Sequence, residues 1–358
     1  MIIEKIEIKN FRNIENIELL PDKKMNIIYG KNAQGKTNIL EALWLFSGQK
    51  SFRAAKDIDF IRFEKNKAEN KIFFEDEQKN KNECHVVIKE GRRFFLNEVE
   101  QKKAFDLARK IAFIVFSPAD IFLISDGPEV RRKFIDLAIC KIYPSYSEKL
   151  KKYKRLVLQR NSTLKDYRFH SDLEPIIEIF ENSISQLGCE IIRYRKRYLE
   201  LLCKYLPKIF EGMSENTEKI ELEYVCTASE KTNEFSQLLK QSRKEDMNTL
   251  STSVGPHRDN IEIKINNLSA KTFGSQGQKR TAALSLKLAE AKVLQETTKI
   301  VPVALLDDVM SELDSKRQNY ILNNIENWQV FITCCDPENI KKIKNGKIFK
   351  IKDGKTEE

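Results

Sequence analysis

The run Ile27 to Ala42, IIYGKNAQGKTNILEA, decides the architecture of this chain. Ile27, Ile28 and Tyr29 read as an apolar strand, and Gly30 breaks it. Gly35, Lys36 and Thr37 follow at the spacing G-x-x-x-x-G-K-[ST]; Ile39, Leu43 and Phe46 then recur at helical intervals. Strand, glycine-bounded loop and helix form the setting that a phosphate-binding loop needs. Glycine lets the backbone from Gly30 through Lys31, Asn32, Ala33 and Gln34 to Gly35 wrap closely, so that its N–H groups can point at phosphate oxygens. The helix that starts there adds the positive end of its dipole. Lys36 is expected to reach the β and γ phosphates of a nucleoside triphosphate, and the Thr37 hydroxyl to sit on Mg²⁺.

A second stretch supplies the carboxylates. Val303-Ala304-Leu305-Leu306-Asp307-Asp308 reads as a buried strand that ends in two acids. A parallel strand beside the phosphate loop would put Asp307 in the Mg²⁺ shell. Asp308, one step further, would face an attacking water and could orient and deprotonate it. Upstream, Gly274-Ser275-Gln276-Gly277-Gln278 opens a helix whose apolar positions are Ala282, Leu286, Ala289 and Val293. Small residues at that helix start, with Ser275 suited to capping, make a second anion site. Two such sites and a single γ phosphate suggest a dimer, in which each chain's second site closes on the other's nucleotide.

The whole chain sets limits. Its 358 residues, 41% hydrophobic and 32% charged, suit a globular protein of two to three domains. No run of the roughly 18 apolar residues that spans a bilayer occurs, and the start, MIIEKIEIKN, has no apolar targeting segment, so a cytoplasmic setting is expected. The seven cysteines are scattered without a C-x-x-C pair, which points to reduced thiols and away from zinc. Lys plus Arg exceed Asp plus Glu by 63 to 53, and Arg131 to Phe210 alone carries 18 basic against 9 acidic residues. A charge surplus gathered in mid-chain favours a polyanionic partner.

Residues 1 to 29 alternate as short strands leading to the loop, and residues 71 to 97 alternate again as an antiparallel side sheet. Residues 112 to 124 give a buried strand stopped by Ser117-Pro118. After the break at Gly127-Pro128, Ile177, Phe180, Ile184, Leu187, Ile191, Tyr194, Tyr198, Leu201 and Tyr205 repeat every 3.5 residues, a helix of about 40 Å at ~1.5 Å per residue. Tyr146, Leu150, Tyr153 and Val157 make a shorter seam, with a polar loop expected from about Asn161 to Asp172. Two antiparallel helices in a compact arm fit this, as does one long core helix in a bundle. Arg193, Arg197, Lys204 and Lys208 line one edge, either a nucleic-acid surface or a solvated face. Leu250 to Ile265 again reads as strand around Gly255-Pro256-His257-Arg258-Asp259. The expectation is an α/β ATPase-type domain from 1–126 and 247–358, with a mainly helical arm, 127–246, inserted.

The order of phosphate loop, S-Q-G-Q, LLDD and Ser311-Glu312-Leu313-Asp314 resembles the ABC-type ATPases of chromosome maintenance. NFRN at Asn10 to Asn13, GKNAQGKTNILEA, FSPAD, PEVRRKFID, GPHRD, SQGQKR and LLDDVMSELD are similar to the RecF family of bacterial recombination mediators, in that family's order and across the whole chain. The resemblance implies an ATP-dependent dimer that binds DNA, prefers junctions of single strand and duplex at gaps, and works with RecO and RecR to load RecA in recombinational repair and the SOS response. It implies that Ser275 and Gly277, with Gln276 and Gln278, act in trans, that Ser311 to Asp314 signal across the dimer, and that Arg12 contacts nucleotide. Hydrolysis would serve as a weak, DNA-dependent switch. The chain departs from the pattern at Ala119 in FSPAD, where the family has Glu, and at Asn260, where it has an acid. Thr333-Cys334 stands where transporters carry a switch His, and Phe116 to Asp120 where related ATPases carry Gln. Arg131 and Arg132 fit a salt bridge between lobes or a site equally. A transporter ATPase subunit has no need of the basic arm, and a small-molecule phosphotransferase has no need of the S-Q-G-Q helix.

Overall fold

The computed structural model describes residues 1–49, 51–53, 56–101, 110–167, 170–335 and 346–357. The chain divides into two units, Met1–Asp120 with Leu294–Glu358, and Ile121–Val293.

The first unit holds two sheets. The side sheet is antiparallel, in the order β2 (Ile14–Leu19), β1 (Ile2–Phe11), β4 (Ala68–Glu75), β5 (Lys81–Ile88), β6 (Arg92–Leu96) and β7 (Val99–Gln101). Its strands alternate, as in β4 where every second residue is buried, because one face packs on the core and the other meets solvent. The central sheet runs β15 (Lys355–Glu357), β14 (Lys347–Lys352), β3 (Met25–Tyr29), β13 (Val330–Cys334), β12 (Val303–Asp307) and β8 (Phe113–Phe116). All its strands are parallel except β15, which turns back on β14. β12, β13 and β8 are buried at every residue and read as apolar runs apart from Asp307 and Thr333 at the strand ends, the composition that burial on both faces selects. At the edge, β14 and β15 carry Lys347, Lys350, Lys352 and Lys355, which discourages pairing with another chain. Helix α1 (Lys36–Trp44) follows β3, and one apolar cluster joins Ile6, Ile72 and Val86 of the side sheet to Leu43 of α1 and to Leu305 and Phe331.

The strand order corrects one expectation. β12 is not beside the strand that feeds the phosphate loop, since β13 lies between them and pairs with both. Apolar runs of equal length carry no record of which neighbour each will take.

The second unit contains α2 (Phe122–Ser125), α3 (Pro128–Ile142), α4 (Pro144–Tyr167), α5 (Glu174–Met213), α6 (Thr232–Thr249), α7 (Ala270–Phe273) and α8 (Gln276–Thr298), the last running on into the first unit. A small antiparallel sheet completes it, β9 (Ile220–Val225), β10 (Asn260–Ile265) and β11 (Leu268–Ser269). α4 and α5 are antiparallel, for Tyr146 meets Tyr194 while Arg160 meets Glu181. α5 is 40 residues, about 60 Å at ~1.5 Å per residue, longer than the seam predicts. Its helix continues past Tyr205 and carries Pro207 inside it. The loop expected from Asn161 is shorter too, because α4 runs on to Tyr167; residues 168 and 169 lie outside the described residues. Of the seam, Ile177, Ile184, Ile191 and Tyr198 are fully buried and Phe180, Leu187 and Tyr194 partly so. Ser185, Gly188, Cys189, Ile192 and Leu199 are buried as well, so the covered face is wider than a two-stranded seam. Gly188 is small for a reason, since a Cβ there would lie 2.4 Å from the Phe235 ring.

Charge holds these helices in register. Arg160 on α4, with no exposed surface, bonds Glu181 of α5 at 3.0 Å and Asp246 of α6 at 2.7 Å. Arg195 of α5 grips Asp136 of α3 at 2.9 and 3.0 Å, and Asp136 also accepts from Tyr146 at 2.6 Å. Part of the basic surplus is therefore internal. The expected domain edges at 127 and 247 differ from the observed division at Ile121 and Leu294. The reason is pairing: β10 lies along β9 from Asn260↔Val225 to Ile265↔Ile220, which ties that stretch to the helical unit. Strand begins at Asn260 rather than at Leu250, and Gly255 to Asp259 form a knot around it. There Asp259 accepts from the Tyr224 hydroxyl (2.6 Å) and from Thr227 N–H (2.8 Å).

Candidate nucleotide-binding site

The phosphate loop is shaped by three residues with positive φ. Gly30 has φ 155°, and a Cβ there would fall 2.2 Å from the Ile351 carbonyl oxygen. Ala33 (φ 65°) and Gly35 (φ 105°) flank Gln34, which stays on the negative side. Such alternation turns successive N–H groups into one anion-binding concavity. Lys36, nearly fully buried, lays its ammonium across the loop and donates to the carbonyls of Gly30 (2.7 Å) and Lys31 (3.0 Å). Asn32 accepts from the Cys335 thiol at 2.9 Å, and the Cys335 Sγ is 3.7 Å from Lys36 Nζ.

The acidic pair meets this loop despite the intervening strand. Thr37 Oγ1 donates to Asp307 Oδ1 at 2.8 Å. Thr333, on the β13 strand between them, donates to the same Asp307 oxygen at 2.9 Å and accepts from Asp308 N–H at 2.9 Å. Burial raises the pKa of Asp307, the bonds from Thr37 and Thr333 pull it back, and the Asp308 charge raises it further. Asp308 itself adopts φ 51°, a turn that takes its side chain off the strand direction, and its carbonyl accepts from Ser311 Oγ at 2.7 Å. Asp314 then caps α9 (Ser315–Asn324), accepting from Lys316 and Arg317 N–H.

Arg12 lies beside α1. It makes a two-pronged contact to Glu41, at 2.6 and 3.1 Å, and its guanidinium sits 5.2 Å over the Phe60 ring. Glu41 has no exposed surface and also accepts from Ser51 Oγ. Arg53 bonds Asn38 Oδ1 at 3.0 Å and lies 3.9 Å from Glu41. Glu41, Arg53, Thr333 and Cys335 join the site without any motif that assigns them these contacts. Glu41 follows Thr37 by a helical turn, which was a usable signal; Arg53, Thr333 and Cys335 belong to no spacing pattern.

The S-Q-G-Q stretch belongs to the second unit. Ser275 and Gln278 cap α8 reciprocally, Gln278 N–H to Ser275 Oγ at 3.2 Å and Ser275 N–H to Gln278 Oε1 at 2.7 Å. Ser275, Gln276 and Gly277 are exposed, and a Cβ on Gly277 would meet Ser275 Oγ alone, at 3.9 Å. Packing within the chain thus does not explain glycine at 277. Arg131 bonds Asn260 Oδ1 at 3.0 Å and the Asp126 carbonyl at 2.8 Å, and Arg132 bonds the Asp259 carbonyl at 2.6 Å. Both arginines thus brace the helical unit, Arg131 from its buried side and Arg132 half-buried. Asp120 Oδ2 accepts from Ser117 N–H at 2.7 Å, closing the FSPAD turn.

A parallel sheet with a glycine-bounded loop, a lysine and a threonine–aspartate pair at its strand ends, an antiparallel side sheet and a helical unit define the ABC-type ATPase fold. The family model described as RecF/RecN/SMC N terminal domain matches residues 2–357. A "DNA replication and repair protein RecF" of Acetivibrio thermocellus is 38% identical over 347 residues, 94% of each chain, and one of Clostridium botulinum is 37% identical over 99% of each. The solved "Structure of the recombination mediator protein RecF-ATPrS in RecFOR pathway" superposes with TM-score 0.90 at 35% identity, over 99% of this chain and 97% of that one. An Smc head domain from Pyrococcus furiosus shares the fold, TM-score 0.57 at 18% identity, over 99% of this chain and 95% of that one. The chain belongs to the RecF family.

Proposed function

We propose that this chain is an ATP-dependent DNA-binding switch of replication and repair, which dimerises on ATP, recognises single-stranded and gapped duplex DNA, and works in the cytoplasm with RecO and RecR to support RecA loading and the SOS response. The observation that carries the reading is the Thr37–Asp307 contact at 2.8 Å behind a loop that holds Lys36. Thr37 Oγ1 and Asp307 Oδ1 are hard oxygen donors side by side, a set that suits Mg²⁺. When bound, that ion would neutralise charge between the β and γ phosphates. The N–H groups of Ala33 to Thr37 would bind phosphate oxygens, and Lys36 would exchange its carbonyl contacts for phosphate. Asp308 would hold a water through its carboxylate and accept its proton. Thr333 would keep both acidic positions in place, and Arg12, oriented by Glu41 and Phe60, would face the nucleotide.

Ser275, Gln276, Gly277 and Gln278 would close on the partner's triphosphate. The exposure of this helix start, and a glycine that the chain's own packing does not require, support a role against a second molecule. ATP can drive such closure only through its greater affinity for the closed dimer. Among the described residues no helix is long and apolar enough to cross a membrane. Light scattering with a non-hydrolysable ATP analogue and Mg²⁺ tests the reading, repeated with gapped duplex. The mass should double with analogue, and Ser275→Arg should bind the analogue yet stay monomeric. A mutant that still dimerises would remove the trans site.

A further inference from the structure

The phosphate loop is held from outside as well as from within. The carbonyl of Gln34 accepts from Gly354 N–H at 3.1 Å, and its side-chain Oε1 accepts from Asp353 N–H at 2.5 Å. Asp353 and Gly354 form the two-residue turn between β14 and β15, and both have positive φ, 49° and 71°, as a tight hairpin turn requires. β14 reaches this position by pairing with β3, Lys347↔Asn26 to Lys350↔Tyr29, alongside the strand that enters the loop. The approach leaves no slack. A Cβ on Gly354 would stand 2.5 Å from the Asn13 carbonyl oxygen, and one on Gly35 would stand 2.8 Å from Asn13 Oδ1. Asn13 Oδ1 in turn accepts from Asn38 Nδ2 of α1 at 2.8 Å.

We propose that the C-terminal hairpin turn, Asp353-Gly354, is a positioning element of the nucleotide site, acting on the phosphates through Gln34. Its logic is preorganisation. A glycine-bounded loop has many conformations to lose when its N–H groups converge on an anion, and two fixed donors on Gln34 remove most of that freedom beforehand. The hairpin touches no reacting atom, so its effect belongs in binding rather than in the chemical step. Gln34 is the part of the loop that the turn can reach, and its amide gives the contact its direction: the side chain must be an acceptor at Oε1.

The inference rests on the ATP-binding reading, and the test separates the two. ATP affinity in the presence of Mg²⁺, the KM and kcat of hydrolysis, and the melting temperature are measured for the full chain, Gln34→Ala, Gln34→Glu, Gly354→Ala and the Gln34→Ala/Gly354→Ala pair. Losing one hydrogen bond of this kind should weaken ATP binding about three- to tenfold and raise KM in step, with kcat within about twofold of the unsubstituted chain. Gln34→Glu keeps an acceptor but sets a negative charge in a loop that binds phosphates, so it should weaken ATP binding as well, and more at low salt than at high salt. The double variant should bind no worse than the weaker single one, because Gly354→Ala, by displacing the turn, already releases the side-chain bond that Gln34→Ala removes. Unchanged affinity in Gln34→Ala overturns the proposal whether or not Gly354→Ala folds, and so do additive losses in the pair. Absence of ATP binding by the unsubstituted chain overturns the nucleotide reading and this one together.

Discussion

Thr333 ties the two acidic positions together through a single hydroxyl, which donates to the Asp307 carboxylate and accepts from the backbone N–H of Asp308. Thr333→Val keeps the shape and removes both bonds. It leaves the Asp308 N–H without this acceptor, which should cost about 1–3 kcal/mol of stability. The same change should weaken Mg²⁺-dependent ATP binding, because Asp307 loses half its support. Urea unfolding and an ATP titration check the pair, and a variant equal to the parent in both would show that Thr37 alone orients the acid. His257 makes a second residue-scale prediction. Its Nε2–H donates to the Thr252 carbonyl at 3.0 Å and its Nδ1 lies 2.7 Å from the Tyr153 hydroxyl, an arrangement that a neutral ring satisfies with Nδ1 as acceptor. Burial depresses its pKa to about 4, against the bond to Thr252 that raises it. Below pH 6.5 the unfolded chain therefore takes up a proton that the folded chain refuses, and stability falls as pH drops towards 4. Glu290 acts in the next window. Burial alone would raise its pKa, but Lys141 and Lys287 outweigh that and hold it at about 2, so its contribution is present above 4.5 and lost below. Between pH 6.5 and 4.5 the parent should lose about 2–3 kcal/mol through His257, and His257→Gln should flatten that part of the profile. An unchanged slope in His257→Gln would put the acid sensitivity elsewhere.

At the level of elements, the phosphate loop and α1 were legible because their chemistry fixes a spacing that few other folds tolerate. The buried positions Ile177, Ile184, Ile191 and Tyr198 of α5 were legible for the same reason, a period matched to one helix face. The place of β13 between β3 and β12 was not, because hydrogen bonds in a parallel sheet are made by backbone that every apolar strand shares. Nor was the attachment of β10 to the helical unit, since its partner β9 is separated from it by α6 and a knot of turns. The ionic clamp Arg160–Glu181–Asp246 lay hidden too, as a basic residue on a polar helix reads as solvated until three helices close over it. Arg160→Met should cost about 3–5 kcal/mol, because the buried Asp246 loses its arginine while Glu181 keeps only Arg243. Replacing Arg160, Glu181 and Asp246 together with apolar residues should recover much of it. Denaturant melts of the single and triple variants decide this, and a single variant as stable as the parent would show that the cluster is wetter than its burial implies.

For the whole molecule, net charge becomes a surface only after folding has spent part of it. Arg160 and Arg195 are internal, whereas Arg193, Arg197, Lys204 and Lys208 are exposed on α5. If each of these four neutralises one phosphate of DNA, log affinity should fall against log salt with a slope of roughly −3 to −4 from this edge alone. Changing all four to Gln should shallow the measured slope by that amount, and a slope unaffected by the change would move the DNA elsewhere. The sheet order carries a consequence for how the protein is made. β3 is reached early in synthesis, yet both its neighbours, β13 and β14, are encoded some 300 residues later. While the ribosome is still working, the strand that presents the phosphate loop has neither of its pairing strands, and the stretch from Ile121 to Val293 precedes both. A chain cut short before β13 and β14 would therefore leave the strand that presents the phosphate loop unpaired along both edges.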